Sequence, residues 1–426
     1  MSIRKIYICI LVNALISFLY VSGANVGQDL NRSADNLSQK IDSIVGNAIQ
    51  KGAIPGCQVL VEKDGELLVN KSYGQLTKGG KEVDNNTLYD LASVSKAMGT
   101  LPGIMKLYDL GLLDIDAEIS EYIPELKGTN KEGITVRELL FHESGFPASI
   151  DWRKIITDDP ENLHIRKDLI SSIPDSQYVI GLADGLYAKK EIFDTVISRI
   201  YAMPLRKDKS FNYSCINFCL LMDIEQRISG LPHEKFITDS IFIPVGALST
   251  FYRPLEHTTK DNIAPTEIDS VYRKQIIQGY VHDGLANSSG GISGNAGLFS
   301  NATDLARICR MWLNGGVVDG QRILSEETVR LFTTTKSPTC RRGLGFDKPD
   351  ILNPDKSPTC PEANPSVYGH LGFTGTAVWI DPDNHLIYIF LTNRVNPTRE
   401  NRAFAESNIR SAIFSEIYKW IENNNL

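Results

Sequence analysis

The sequence lacks the residue patterns of several common functional classes. Its 426 residues include 7 cysteines and 7 histidines, but no Cys-x-x-Cys pair and no cysteine–histidine spacing typical of a zinc site. The 51 acidic residues outnumber the 44 basic ones, and the basic residues do not cluster. This charge distribution makes a nucleic-acid partner a poor expectation. Internal repeats and low-complexity tracts are also missing, apart from the tetrapeptide SPTC, which occurs twice.

A long apolar run is found only at the N-terminus. Arg4 and Lys5 precede an apolar segment at 6–21, and the small residues SGA follow at 22–24. This arrangement predicts a signal peptide at residues 1–23 and an exported protein, periplasmic or secreted. The alternative is an uncleaved membrane anchor, although the run is short for a membrane span. After cleavage of the signal peptide we expect no stable membrane association.

The hydrophobic pattern of the remaining chain predicts an α+β fold. Apolar residues recur at helical spacing over 28–50, and alternating runs on both sides of Asp64-Gly65 indicate a β-hairpin. A second hairpin is predicted around the turn DPDN at 381–384, and an amphipathic helix ends the chain. The middle of the chain has mostly helical and loop patterns. We therefore expect one antiparallel sheet, flanked by helices and built from both chain ends.

The same pattern predicts two lobes within one hydrolase domain at 24–426. The α/β lobe would combine residues 24–92 and 285–426, and a mostly helical lobe at 93–284 would be inserted between them. Residues 215–230 give one of the clearest helices of this insert, because Gly230 is placed to end it.

The stretch LASVSKAMGT at 91–100 contains two serines and a lysine at the start of a predicted helix. Ser93 and Lys96 are three residues apart and share one helix face, whereas Ser95 and Lys96 are adjacent and point apart. Ser93 is therefore the candidate nucleophile. The helix N-terminus and burial are expected to lower the pKa of Lys96, so that a neutral amine could accept the serine proton. The motif alone is weak, since Ser2 and Lys5 also match it.

Two further motifs follow in a fixed order. FNYSCINF at 211–218 places Tyr213 just before a helix, and YGHLGFTGT at 368–376 places His370 and Gly372 at the start of a Gly-rich strand. With Ser93-x-x-Lys96, this series resembles the penicillin-recognising serine hydrolases, and most of all the class C β-lactamase group. That group includes D,D-carboxypeptidases, D-aminopeptidases and carboxylesterases, and the resemblance covers nearly all of the chain after residue 23.

The resemblance implies a catalytic role for each motif residue. Ser93 would attack a carbonyl and form an acyl-enzyme, while Lys96 and Tyr213 would share the proton transfers. The backbone N–H groups of Ser93 and Phe373 would bind the oxyanion. His370, with Gly372, stands where many β-lactamases have a lysine, and would help to place the substrate and keep the site electropositive. No metal and no cofactor are implied, and the partner would be a small-molecule or peptide substrate.

Two departures from the family pattern affect this expectation. Cys215 occupies the position of an asparagine that would contact both the substrate amide and the lysine, and a thiol is weak in both roles. Asn217 is close in sequence but should face elsewhere. Pro102-Gly103 falls about two turns into the helix that carries Ser93, where a proline is expected to kink or end it.

The two SPTC strings also predict a Cys340–Cys360 disulfide in an oxidising compartment, with two free thiols as the alternative.

The sequence therefore predicts an exported serine hydrolase of the β-lactamase/D,D-peptidase fold, in a bacterial source. Substrates would be D-amino-acid peptides or small amides and esters. One alternative is a carboxylesterase of the same fold. Another is a catalytically silent homologue that binds cell-wall peptide, which the exchange of asparagine for Cys215 makes conceivable.

Overall fold

The structure is a computed structural model that describes residues 34–159, 161 and 164–424. The predicted signal peptide at 1–23 lies outside the described residues. The described strands are β1 (Gly56–Lys63), β2 (Glu66–Gly74), β3 (Tyr89–Asp90), β4 (Thr157–Asp159), β5 (His164–Ile165), β6 (Ile170–Ser171), β7 (Tyr178–Ala183), β8 (Leu186–Lys189), β9 (Phe251–Tyr252), β10 (Ile268–Asp269), β11 (Gln275–Ile276), β12 (Leu298–Ser300), β13 (Val317–Val318), β14 (Gln321–Arg322), β15 (Tyr368–Leu371), β16 (Ala377–Asp381) and β17 (Leu386–Thr392).

The described helices begin with α1, residues 34–50. They continue with α2 (Leu101–Asp109), α3 (Ile119–Tyr122), α4 (Val136–Phe141), α5 (Arg153–Ile156), α6 (Ile192–Ala202), α7 (Cys215–Ser229), α8 (His233–Ile237), α9 (Ile243–Val245), α10 (Gly284–Ser288), α11 (Ala302–Leu313), α12 (Glu326–Thr334), α13 (Arg402–Ser407) and α14 (Ile409–Asn423). Over the described ranges, every helix is too short or too polar to cross a membrane.

The main sheet has five antiparallel strands in the order β15-β16-β17-β1-β2. Both hairpins predicted from the sequence are present. β1 and β2 are joined through Asp64 and Gly65, which both have positive φ, as the tight turn of a hairpin requires. β1 then pairs with β17 along its length, so the two chain ends share one sheet. The predicted α+β class is confirmed.

Helices cover both faces of this sheet, which explains why all eight residues of β1 are buried. On one face α1 contributes Leu37, Ile41 and Val45 to a core that also includes the apolar side of α14. On the other face the sheet packs against α11 and the larger core of the helical region. Each fully buried aliphatic side chain of this kind stabilises the fold by about 1.5–3 kcal/mol. The last helix differs from its predicted form, because Asn408 adopts a left-handed conformation between α13 and α14.

The described residues at 93–284 contribute no strand to the main sheet. They form α2 to α9, with the small sheets β4-β5, β6-β8-β7 and β10-β11, so this range contains more β-structure than the sequence indicates. β9 also pairs with β12, which follows residue 284. The predicted lobe boundaries at 92/93 and 284/285 stay predictions.

The helix that follows Ser93 accommodates the proline by changing its hydrogen-bond pattern. Lys96–Thr100 forms a π-helical turn in which the Leu101 N–H donates to the carbonyl of Lys96, five residues earlier. The α-helix proper then begins at Leu101 and has Pro102 in its first turn, where the missing N–H of a proline is tolerated. The expected kink is therefore replaced by a π turn that begins at Lys96.

Gly103 lets this helix pack tightly against α7. A Cβ at Gly103 would overlap the carboxylate of Glu225, and it would also contact Ile237 at 3.2 Å. Glu225 is fully buried, and the Nδ1 atom of the buried His233 lies 2.7 Å from its Oε1. Because its partner is also enclosed, the carboxylate cannot move into solvent to make room. The close approach of α2 and α7 brings Lys96 and Cys215 together in the site.

The predicted Cys340–Cys360 disulfide is wrong in this structure, because both cysteines are free. Cys360 packs into the core beneath α14 and contacts Glu362 and Ser415. Cys340 interacts instead with Ser337 and Glu143. The thiols of the two SPTC strings thus lie in different surroundings. A disulfide would instead require their Cβ atoms to be about 4 Å apart.

Gly103→Ala is expected to destabilise the protein by about 1–3 kcal/mol, because the new methyl group overpacks the contact with Glu225. Gly46→Ala is the matched control, since Gly46 lies in α1 and a Cβ added there would meet no atom within 4 Å. Alanine there should stabilise the helix by about 0.5–1 kcal/mol. Denaturant unfolding gives both free-energy changes, and a change of the same sign in both variants would contradict this account of the packing.

Candidate active site

The turn that carries Ser93 is held in a strained conformation. Ala92 has a positive φ of 48°, which is unusual for a residue with a side chain. The buried carboxylate of Asp90 fixes this turn by accepting the Ala92 N–H at 2.8 Å and the His282 N–H at 2.6 Å. Ser93 follows directly and is half-buried. Ser95 is fully buried, and its Oγ accepts the Leu298 N–H, so its hydroxyl belongs to the core.

Lys96 lies at the centre of the site with no solvent exposure. Its Nζ is 3.0 Å from Ser93 Oγ and 2.9 Å from the carbonyl oxygen of Asn295. The Sγ of Cys215 lies 3.6 Å from the same nitrogen. The three ammonium hydrogens therefore have three acceptors. The structure brings together the serine and the lysine that the sequence paired.

The expected low pKa of Lys96 is wrong. Burial by itself lowers the pKa of this amine, but interactions with Cys215 and Tyr213 outweigh burial and raise the pKa above its usual value. Burial raises the pKa of the Cys215 thiol, although Lys96 opposes this shift. Lys96 is a cation that donates to Ser93, rather than a free base.

Tyr213 packs beside both Lys96 and His142. Its ring centroid is 5.1 Å from Lys96 Nζ, and the centroid of the His142 ring is 4.6 Å away. His142 ends α4 in a left-handed conformation, and its Nδ1 accepts the N–H of Ser214, the residue before α7. Burial, Arg342 and Lys96 lower the pKa of His142, which keeps it neutral. His142 is thus a neutral hydrogen-bonding residue at the end of α4.

Arg342 is a site residue that the sequence analysis missed. Its guanidinium carbon lies 4.9 Å from the Tyr213 ring centroid, and its Nη1 is 3.5 Å from His370 Nε2. The buried carboxylate of Asp347 pairs with it at 3.1 Å. Burial, Arg342 and Lys96 lower the pKa of His370 to about 3, so this imidazole is neutral. Positive charge beside Tyr213 comes from Arg342 and Lys96, not from His370.

The amides expected to bind an oxyanion lie on two segments that are joined by side chains. Thr374 and Thr376 donate from their hydroxyl groups to the carbonyls of Asp90 and Leu91, at 2.7 and 2.9 Å. These bonds fasten the turn that contains Phe373 to the turn that contains Ser93. Within the described residues, neither the Ser93 N–H nor the Phe373 N–H donates a hydrogen bond. Both amides are thus left for a ligand.

Gly372 is required by this close approach. A Cβ at residue 372 would overlap Thr376 Oγ1 and the Leu91 carbonyl oxygen. Phe373, the next residue, is half-exposed, and its ring contacts both the guanidinium of Arg394 and the His282 imidazole. Arg394 also donates to the Phe373 carbonyl at 2.8 Å. Arg394 therefore contacts both the ring and the backbone of Phe373.

Asn217 cannot replace the missing asparagine at position 215. Its Oδ1 accepts the hydroxyl of Ser144 at 2.7 Å, and its Nδ2 donates to the Leu139 carbonyl at 3.1 Å. Asn217 is fully buried between α4 and α7, as the sequence analysis expected. Asn295 has a larger part in the site, since its carbonyl holds Lys96 and its side chain donates to Asp283 at 3.1 Å.

Ser93 opens onto a cleft of about 770 Å³, whose walls include Ile150, Trp152 and Tyr272. His282 and Asp283 also line this cleft. His282 is buried, and its Nε2 lies 2.7 Å from a carboxylate oxygen of Glu267. No group of three His, Cys, Asp or Glu residues in the described ranges is arranged to hold a metal ion.

Comparison with known proteins places this geometry in a family. A family model described as Beta-lactamase matches residues 41–409. The protein named "Putative D-alanyl-D-alanine carboxypeptidase" in Escherichia coli (strain K12) is 31% identical over 404 residues, covering 88% of this chain and 84% of that protein. A protein with the same name in Salmonella typhimurium is 29% identical over 418 residues, covering 90% of this chain and 88% of its own length.

Solved structures share the fold at lower identity. The D-amino acid amidase from Ochrobactrum anthropi SV3, complexed with D-phenylalanine, superposes with a TM-score of 0.64 at 16% identity, covering 90% of this chain and 99% of the amidase. A family VIII carboxylesterase superposes with a TM-score of 0.61 at 16% identity, covering 90% and 97%. The family match spans most of the chain and contains every motif residue described above, and the chain therefore belongs to the β-lactamase family.

Proposed function

We propose that this protein is a serine hydrolase that forms an acyl-enzyme on Ser93, with D-amino-acid peptides or small amides as substrates. The observation that carries the proposal is the 3.0 Å contact between the half-buried Ser93 hydroxyl and the fully buried Lys96 ammonium. A solvated lysine beside a capping serine would not need to be enclosed in this way. The family match supports hydrolysis in general, and the carboxypeptidase and amidase relatives suggest the substrate class.

In the proposed mechanism, Ser93 Oγ attacks the substrate carbonyl, and its proton passes to the leaving nitrogen or oxygen. Lys96 stabilises the developing alkoxide as a cation and hydrogen-bond donor. Tyr213, whose ring faces Lys96 and Arg342, transfers the proton. The oxyanion is bound by the N–H groups of Ser93 and Phe373, which have no partner among the described residues. Water then releases the acyl group through the reverse proton path.

A carboxylesterase of the same fold is the alternative enzyme, and the contact between Lys96 and Cys215 is the reason to retain it. An ester needs no donor to an amide carbonyl beyond the oxyanion site, so a thiol at residue 215 affects ester substrates less. A catalytically silent binding protein is less well supported, because a binder does not need a buried lysine beside an accessible serine. Residues 1–23 support export to the periplasm or the medium as part of the proposal.

Ser93→Ala should abolish covalent labelling by a fluorophosphonate probe, because the attacking oxygen is removed. Ser149→Ala is the matched control. Ser149 lines the same cleft, is exposed, and donates only to its neighbour's carbonyl at 3.3 Å. Ser95→Ala is unsuitable as a control, since it would leave the buried Leu298 N–H without an acceptor. Intact-mass spectrometry measures the label. Labelling that survives in Ser93→Ala, or disappears in Ser149→Ala, would place the nucleophile elsewhere.

Cys215→Asn should raise kcat/KM for amide substrates by roughly tenfold, because the new side chain can accept from Lys96 and donate to a substrate carbonyl. Matched ester substrates should change less, since their acylation depends mainly on Ser93 and the two oxyanion amides. Cys215→Ala serves as the control that removes the thiol without adding a donor. An equal change for amides and esters, or a loss for the amide, would favour the carboxylesterase over the peptidase.

A further inference from the structure

The charges that line the cleft beside Ser93 are mostly neutralised in pairs. Asp151 is paired with Arg153, Asp269 with Arg273, and Glu267 with Arg399 and His282. The remaining acidic residues of the cleft are Asp283 and Glu400, and neither forms an ion pair with a described residue. Glu400 is exposed at the rim, whereas Asp283 is half-buried.

Asp283 is held in a fixed position next to the catalytic motif. Its Oδ1 accepts the N–H of Ala286 at 2.8 Å as the cap of α10, and it accepts the Asn295 side-chain amide at 3.1 Å. Since the carbonyl of the same Asn295 accepts from Lys96, a single residue links Asp283 to the lysine. Asp283 also contributes to the raised pKa of Lys96, which indicates that its negative charge acts on the site.

The second oxygen of this carboxylate is not used within the protein. Oδ2 of Asp283 accepts no hydrogen bond from any described residue, although the side chain lines the cleft that contains Ser93. A partly buried carboxylate with one free oxygen is a strong acceptor for a cationic donor. A positively charged group on a substrate could therefore form an ion pair with Asp283.

We infer that Asp283 is a specificity-determining residue that binds the free α-ammonium group of the substrate. This inference rests on the proposed function and narrows it. The favoured substrates would be amides or peptides whose acyl residue has an unblocked amino group, and N-acylated peptides would be poor. The walls formed by Ile150, Trp152 and Tyr272, with the latter two rings 5.2 Å apart, would receive an apolar side chain of the same residue.

The test measures how well small amides protect Ser93 from fluorophosphonate labelling at pH 7, where an α-amino group is mostly protonated. D-phenylalanine amide is compared with the amide of D-3-phenyllactic acid, which replaces the ammonium group with a hydroxyl. In the wild type, the ammonium compound should protect at a concentration at least tenfold lower. N-acetyl-D-phenylalanine amide should protect no better than the hydroxyl compound.

Asp283→Asn removes the charge and keeps an oxygen that can cap α10. In this variant the ratio between the protecting concentrations of the two amides should fall below about threefold, because the ammonium group loses its partner. Glu400→Gln is the matched control, which removes a charge from the rim of the same cleft and should leave the wild-type ratio in place. Both variants are compared by ratio, so a general change in labelling rate does not affect the result.

Equal protection by the two amides in the wild type, or no protection by either, would overturn the inference even if Asp283→Asn fails to fold. A tenfold ratio that persists in Asp283→Asn, or vanishes in Glu400→Gln, would also overturn it. In each of these cases Ser93 is still labelled, and the proposed function stands. If the probe does not label Ser93 in the unliganded wild type, the proposed function falls and the inference falls with it.

Discussion

The enclosure of the Lys96 ammonium is the constraint on which the rest of the site depends. An isolated buried cation is costly, so each of its hydrogens needs an acceptor and its charge needs compensation. The structure supplies Ser93 Oγ, the Asn295 carbonyl and the sulfur of Cys215. These groups come from three distant parts of the chain, and the packing of the Lys96–Thr100 turn against α7 brings Cys215 to the lysine. The π turn at Lys96–Thr100 and the absence of a side chain at Gly103 both allow that approach.

A second constraint acts on the backbone rather than on charge. The strained turn at Ala92 is held by Asp90, and the turn at Phe373 is fastened to it by Thr374 and Thr376. Two amides from different segments are therefore fixed relative to one serine by side-chain hydrogen bonds. Preorganised donors of this kind stabilise an oxyanion without reorganising during the reaction. The buried carboxylate of Asp90, which also accepts from His282, connects this frame to the wall of the cleft.

Local sequence patterns predict the helices and strands of this structure better than they predict contacts between residues far apart in the chain. Alternation around Asp64-Gly65 and around DPDN gives both hairpins, because strand period and turn chemistry are local. The three-residue spacing of Ser93 and Lys96 predicts their contact for the same reason. Arg342 and Asn295 could not be found this way, since the contacts of Arg342 with Tyr213 and of Asn295 with Lys96 join segments separated by more than 100 residues. The pKa of Lys96 was mistaken because burial was considered without the groups that share its cavity, and the bridge from Cys340 failed because repeated strings carry no information about distance.

The cysteine at residue 215, where relatives have an asparagine, can be understood from which groups bind Lys96 and which face the substrate. A side-chain amide at residue 215 would provide an oxygen for the lysine and an N–H for a substrate. In this protein the first role is largely taken by the backbone carbonyl of Asn295, a stronger acceptor than a thiol, at 2.9 Å from Nζ. Lysine geometry is therefore maintained without the asparagine, while the substrate loses one neutral donor. The side chain of Asn295 also donates to Asp283. Asn295 therefore both binds Lys96 through its carbonyl and positions a carboxylate at the cleft. Under the proposed function, this arrangement would replace a neutral hydrogen bond to the substrate with the charge of Asp283.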